Sequence, residues 1–258
     1  MKRFSIILLL LLISCRSIFA QNGHFSINGV IEFEKNVNMF ALMKKNINKD
    51  NESYMQPAYE SYIKSQPQFK TLKSTLTFSK DNTTLFNPIE PETPSNSYFG
   101  GNIMAEQNNI VYTDVANHTS ICQKKVYEET FLVKDSTRKI NWKITSETRE
   151  IAGFKCRRAN ALILDSIYVV AFYTDEIPIS GGPESFTGLP GMILGVALPH
   201  ENVTWFATKV TDMLASQKPL APPTKGKPID NKGLAKKLQA ALKDWGDYAQ
   251  SALKAFSL

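Results

Sequence analysis

The chain has 258 residues, with 30 lysines and arginines against 24 aspartates and glutamates and three histidines. Its formal charge of +6 is no nucleic-acid signal. Lys2, Arg3 and Arg16 lie in the first twenty residues, and eight lysines against three aspartates crowd the stretch from Ser216 onward.

Residues 1–20 read as a secretory leader. Lys2 and Arg3 form a positive start, Phe4 to Ser14 an apolar stretch too short for a membrane span, and Ala20 precedes a cleavage point at Gln21. Export to the periplasm, or to the periplasmic face of the outer membrane, follows. A competing reading takes Leu12-Ile13-Ser14-Cys15 as a lipoprotein box with Cys15 lipidated.

Ile27, Gly29, Ile31 and Phe33 alternate with polar or smaller residues, which predicts a half-buried strand running to about Asn38. Met39 to Ile47 predicts a short helix, and Pro57 to Ser65 a second. Strands are expected at Lys70 to Phe78 and Thr83 to Phe86, joined through Asp81-Asn82. Asn87 to Gly101 reads as a loop. Further strands are expected at Asn109 to Asp114, at Ile121 to Val133, and around Ile140, Trp142 and Ile144. A pair follows at Phe154 to Leu164 and Ile167 to Thr174, turning at Asp165-Ser166. The second of these is apolar on both faces, the mark of a strand covered on each side.

Gly181 to Gly191 holds four glycines and two prolines and reads as one tightly specified loop feeding a strand at Met192 to Leu198. That strand pairs with Val203 to Val210. Residues 216–230 carry four prolines and read as a stiff linker. Leu234, Leu238, Leu242, Trp245, Ala249, Ala252 and Phe256 recur at three and four, which predicts one amphipathic helix over 231–258 with its lysines outward.

Ordered motifs now accumulate: Trp142-Lys143-Ile144, Gly153 to Ala159 with Cys156 inside, Ala171 to Pro178, Gly182-Pro183, and Gly188-Leu189-Pro190-Gly191-Met192-Ile193. Together they resemble the GLPGLI family of exported Gram-negative proteins. Met192 stands where that family usually has leucine, and Phe172 where it often has tryptophan. The resemblance implies an exported protein without a settled enzymatic role, often encoded near TonB-dependent outer-membrane receptors. It carries over no catalytic residues.

The chemistry-bearing residues are few. His24, His118 and His200 have no metal-ligand spacing, and no metal site or cofactor is expected. Cys122 and Cys156 make a candidate disulfide in an exported chain, with two buried thiols as the alternative. Asp175 and Glu176, with Glu184 nearby, could do acid–base work in a cleft; the other reading is a capped turn and a solvated side chain. The glycine loop could cradle an anion through its N–H groups, but lacks P-loop and dinucleotide order, so it reads as structural or peptide-docking. Arg157 and Arg158 point to opposite faces of a strand, so at most one faces a ligand.

The expected fold is mainly β: a large curved antiparallel sheet over 21–215, open or partly closed, with a few helices and a C-terminal amphipathic helix. The expected function is a non-enzymatic binding or accessory protein beside an outer-membrane transporter, with possible membrane contact through the last helix and no nucleic-acid partner. Its contacts are placed at Asp175, Glu176, Gly182, Pro183, Gly188, Leu189, Pro190, Gly191 and Arg158. A carrier of a hydrophobic ligand in the sheet and a hydrolase using the acidic residues are the alternatives.

Overall fold

The structure is a computed structural model and describes residues 26–90, 103–106, 109–213 and 219–258. The leader, Cys15, His24 and most of the expected loop at Asn87 to Gly101 lie outside the described residues.

Twelve strands form one open sheet in the order β12-β6-β5-β4-β3-β2-β1-β11-β10-β9-β8-β7. They are β1 (Gly29–Asn38), β2 (Phe69–Ser79), β3 (Thr83–Pro88), β4 (Asn109–Asp114), β5 (Thr119–Val126), β6 (Glu129–Ser136), β7 (Lys143–Ile151), β8 (Phe154–Ile163), β9 (Ile167–Thr174), β10 (Met192–Leu198), β11 (Val203–Asp212) and β12 (Lys227–Ile229). Every pairing is antiparallel except that of β12 with β6. Five α-helices accompany it among the described residues: α1 (Met39–Lys45), α2 (Glu52–Ser65), α3 (Ile103–Glu106), α4 (Asn231–Ala241) and α5 (Gly246–Ser257). No helix among the described residues is long and apolar enough to cross a membrane.

β1 shows how the sequence builds the sheet. Gly29, Ile31, Phe33, Lys35 and Val37 alternate inward, and the intervening residues face outward. Three pairings slip register, at Glu32/Phe33, at Ile144/Thr148 and at Ile193/Gly195. Such bulges bend and twist a sheet locally. β7 stands four places from β11 in the order yet comes back into contact with it. Arg149 lies 4.8 Å over the Phe206 ring and 5.7 Å over Phe172. Gly195 leaves space there, since a Cβ on it would meet Phe206 Cε1 at 2.6 Å. β9 and β10 are thereby covered on both sides, as the two-sided hydrophobicity of Ile167 to Thr174 predicts.

Several expectations change. Ile121 to Val133 is a hairpin, not one strand. Tyr127 takes a left-handed φ of 51° in the two-residue turn, a conformation unusual for a tyrosine. Its ring packs edge-on against Phe256 at 5.3 Å, a contact invisible to local propensity. Ile140 and Trp142 precede β7 and belong to no strand. α2 starts five residues before Pro57, because Asn48 and Asn51 brace the entry through reciprocal backbone-to-side-chain hydrogen bonds of 2.8 and 3.2 Å.

The stretch read as a linker supplies β12, parallel to β6. The single long helix is two helices, broken between Ala241 and Gly246, where Gly246 has φ 54°. Helices of this length are marginal in isolation. Leu234, Leu238, Leu242, Ala249, Ala252 and Phe256 bury their stripe against Val126, Phe131 and Val133 of β5 and β6. Each large side chain so buried stabilises by about 1.5–3 kcal/mol. Lys227 and Lys237 both reach Glu129 at 2.8 Å, fastening β12 and α4 to β6. A membrane would therefore meet the lysine face of these helices and not their apolar stripe.

Candidate functional site

The glycine-proline loop joins β9 to β10, and its backbone crosses itself. A Cβ on Gly191 would lie 2.1 Å from the Thr174 carbonyl oxygen, and one on Gly182 2.8 Å from that of Phe186. Only glycine fits either place. The amide of Gly181 donates to Ile179 O at 2.8 Å, Met192 to Ile177 O at 3.0 Å, Ile193 to Gly181 O at 2.8 Å and Gly188 to Ser180 Oγ at 2.9 Å. Trp142 Nε1 donates to Thr187 O at 2.9 Å, tying the segment before β7 onto the loop. The Gly181 and Gly188 amides are thus used within the segment.

The expected contact residues divide accordingly. Gly182, Pro183, Leu189 and Gly191, expected as binding residues, are buried. Asp175, Gly188 and Pro190 are exposed, and Glu176 is half-buried with its carbonyl accepting from the Ser26 amide at 3.2 Å. Arg158 is not part of the loop. On β8 it pairs with Glu147 at 2.6 Å and donates to Asn160 Oδ1 at 3.0 Å. The candidate disulfide is also corrected: Cys122 on β5 and Cys156 on β8 are free thiols, eight places apart in the strand order. Burial pushes them up to about 11 and about 12, which disfavours the thiolate form.

Glu184 behaves differently from its acidic neighbours. It is 6% exposed, with a left-handed φ of 52° that a non-glycine residue adopts only when its surroundings demand it. Asn109 Nδ2 donates to its carboxylate at 2.8 Å. Lys35 and Lys124, both buried, lie within its field. Burial raises the Glu184 carboxyl above its ordinary range, against the pull of Lys35, Asn109 and Lys124. Burial lowers Lys35 to about 8. Lys35 also sits 5.1 Å over the Trp205 ring. The loop thus carries one carboxyl group into a polar cluster on the inner face of β1, β4 and β5. Burial also separates the three acids proposed for hydrolysis, since Asp175 is at the surface and Glu184 is in the core.

The same cluster holds α5. Lys124 Nζ donates to Phe256 O at 2.5 Å, Arg138 Nη2 to Ser257 O, and Ser185 Oγ to Leu258 O at 2.8 Å. Cations at the end of a helix oppose the partial negative charge of its carbonyls. Sequence reasoning missed this cluster. The signal was Lys35, a lysine on the inward register of β1 among Ile31, Phe33 and Val37.

On another side, α1, the turn after it, α2, α3 and α5 border a groove of about 850 Å³. Met43, Met55 and Met104 line it beside Trp245 and Tyr248. The two aromatic rings are 5.5 Å apart and stay 56% and 42% exposed. Glu201 at its edge is buried and pairs with Lys45 at 3.5 Å and Lys254 at 3.3 Å. Among the described residues no group of three or more His, Cys, Asp or Glu side chains is placed to hold a metal ion.

Comparison with known families gives one match: residues 162–195 fit a family described as a protein of unknown function, Porph_ging. The matched stretch runs from the end of β8 through the glycine loop into β10. No curated protein matches the chain. Among solved structures, PNGF-II in one crystal form is similar over 82% of this chain and 32% of its own, at 16% identity and a TM-score of 0.50. A second crystal form of PNGF-II gives 15% identity, 88% and 33% coverage and a TM-score of 0.47. The chain spans about a third of the length of PNGF-II, and at this identity the likeness is one of fold.

Proposed function

We propose that this chain is an exported, non-enzymatic binding protein, accessory to an outer-membrane transporter, and that it grips its partner through the helix-bordered groove. One observation carries the reading: Trp245 and Tyr248 stand exposed as a pair at the rim of a large groove lined by methionines. Exposed aromatics of this kind anchor protein interfaces, and methionine adapts its shape to a partner. Lys45 at the edge is already matched by Glu201, so the groove offers apolar and aromatic contact more than positive charge. The occupant that fits is an apolar segment of the transporter's periplasmic surface. The leader-like first segment and the resemblance to exported proteins are what support the location. The hydrophobic-carrier reading draws less support, because strands β9 and β10 are filled on both faces and the larger cavities are open grooves.

The test is site-specific photo-crosslinking from position 245 in cells that export the protein. The expected product is an adduct with an outer-membrane protein, lost when Tyr248 is replaced by Ala. Adducts absent at 245 but present from the opposite, lysine face of α4 would overturn the placement. No membrane-protein adduct from either position would overturn the reading itself.

A further inference from the structure

Three buried polar groups meet on the inner face of β4 and β5. Asn109 opens β4 and is 2% exposed, and Lys124, near the end of β5, is 6% exposed. The register sets these two directly opposite each other, so their side chains share a face. Cβ atoms so placed lie about 4.5–5.5 Å apart, a gap the flexible stem of lysine spans. The third group is Glu184, brought in by the glycine loop. Its carboxyl accepts from Asn109 Nδ2 at 2.8 Å and faces Lys124. Lys35, also in the field of Glu184, stands on β1, three places from β4 in the strand order.

An amine, a primary amide and a carboxyl group held together away from water are the reactants and the proton relay of an amide exchange. Burial prepares the pair. It lowers Lys124 and raises Glu184, against the attraction between them, and so favours the neutral amine and the protonated acid. The neutral amine is the nucleophilic form of lysine. A carboxyl group within hydrogen-bond reach of the leaving nitrogen is placed to carry its proton. Fixing the groups on adjacent strands replaces an encounter by a set geometry.

We propose that Lys124 and Asn109 join in an intramolecular isopeptide bond, with Glu184 as the proton relay. Lys124 first passes one ammonium proton to the Glu184 carboxylate. The freed lone pair on Nζ attacks Asn109 Cγ; the Cγ–Nζ bond forms and the carbonyl π pair moves onto Oδ1. Glu184 then gives its proton to Nδ2 and takes a second proton from Nζ. The pair on Oδ1 returns, the Cγ–Nδ2 bond breaks, and ammonia leaves. No oxidant and no added reagent enters. The product keeps one N–H on Nζ for the Phe256 carbonyl, which Lys124 already meets at 2.5 Å. The bond staples β4 to β5 in a chain whose Cys122 and Cys156 stay free thiols.

The experiment is mass spectrometry of the purified full chain, intact and after digestion. The expected mass is below the sequence value by one ammonia. Cyclisation of a glutamine at an N-terminus loses the same mass, so digestion locates the loss. Trypsin combined with a protease that cuts before aspartate separates 81–113, which carries Asn109, from 114–125, which carries Lys124. The isopeptide bond keeps these two fragments joined and spares the peptide bond after Lys124 from trypsin. Glu184→Gln keeps the shape of the relay and removes its proton transfer; where circular dichroism shows it folded, the two fragments separate. Wild-type fragments that separate at full mass overturn the proposal, and that result depends on no variant. A bond found from Lys35 overturns the assignment to Lys124, and joined fragments in a folded Glu184→Gln overturn the relay.

Discussion

The two arms of the sheet are built on different rules. In β9 and β10 nearly every side chain is apolar and buried, on both faces, and β7 curls back to complete the cover. In β1, β4 and β5 the inner face admits Lys35, Asn109 and Lys124 and takes Glu184 from the loop. The first arm needs shape, because burial of apolar area is non-directional and fails only when the pieces do not fit. The second needs partners, because each buried charge depends on its neighbours. The glycine loop belongs to both: its turns are demanded by the first arm, and its one buried acid serves the second.

The sharpest break of the first arm is Gly191→Ala. A methyl group cannot lie 2.1 Å from the Thr174 carbonyl. The loss should be about 5 kcal/mol or more, at the top of what single substitutions do. Denaturant unfolding checks it, and a native-like transition would show that the crossing can open. The matching break of the second arm is Glu184→Ala, which leaves Lys35 and Lys124 buried without their anion. About 3–5 kcal/mol should be lost. If Glu184→Ala were neutral by the same measurement, the cluster would not be paired as drawn.

The pH response sharpens the contrast. Lys35 has a folded pKa of about 8 against its ordinary 10.5, so between these values the unfolded chain binds more protons. Stability from this group therefore rises with pH across that window, by about 1 kcal/mol per unit. Cys122 and Cys156 act in the opposite sense above pH 9, because burial raises them. The clean measurement is the stability difference between wild type and Lys35→Met, in which the thiols cancel; a flat difference from pH 8 to 10 would contradict a buried, shifted lysine. Glu184, raised, contributes stability at acid pH that is lost as pH climbs through its folded value. The smallest expected effect is at the groove. Trp245→Ala should change stability by no more than about 0.5 kcal/mol, as exposed positions do, and under the proposed function it should abolish partner capture. A large stability loss would make Trp245 a packing residue.

The strand plan was largely legible. Ile167 to Thr174 and Met192 to Leu198 are bounded as their hydrophobicity indicates, and Gly29 to Asn38 alternates as expected. Elements whose ends depend on distant contacts were not. Tyr127 turns a strand into a hairpin by packing on Phe256, and Lys227 to Ile229 becomes a strand only because β6 leaves an open edge. The candidate site was less legible still. The loop was visible by its glycines, but which of its residues face solvent was not, because glycine and proline mark backbone shape and not direction.

Sequence by itself determined the alternation that makes strands, the two-sided strand that must be central, and the glycine positions that force the loop to close on itself. These are local consequences of side-chain period and backbone sterics. Tertiary structure decided that Cys122 and Cys156 remain apart, that Glu184 enters the core while Asp175 stays outside, and that Lys124 and Arg138 meet at the end of α5. Those outcomes depend on which distant strands the curved sheet brings face to face, and the free energy of a buried charge is set by such neighbours and not by its place along the chain.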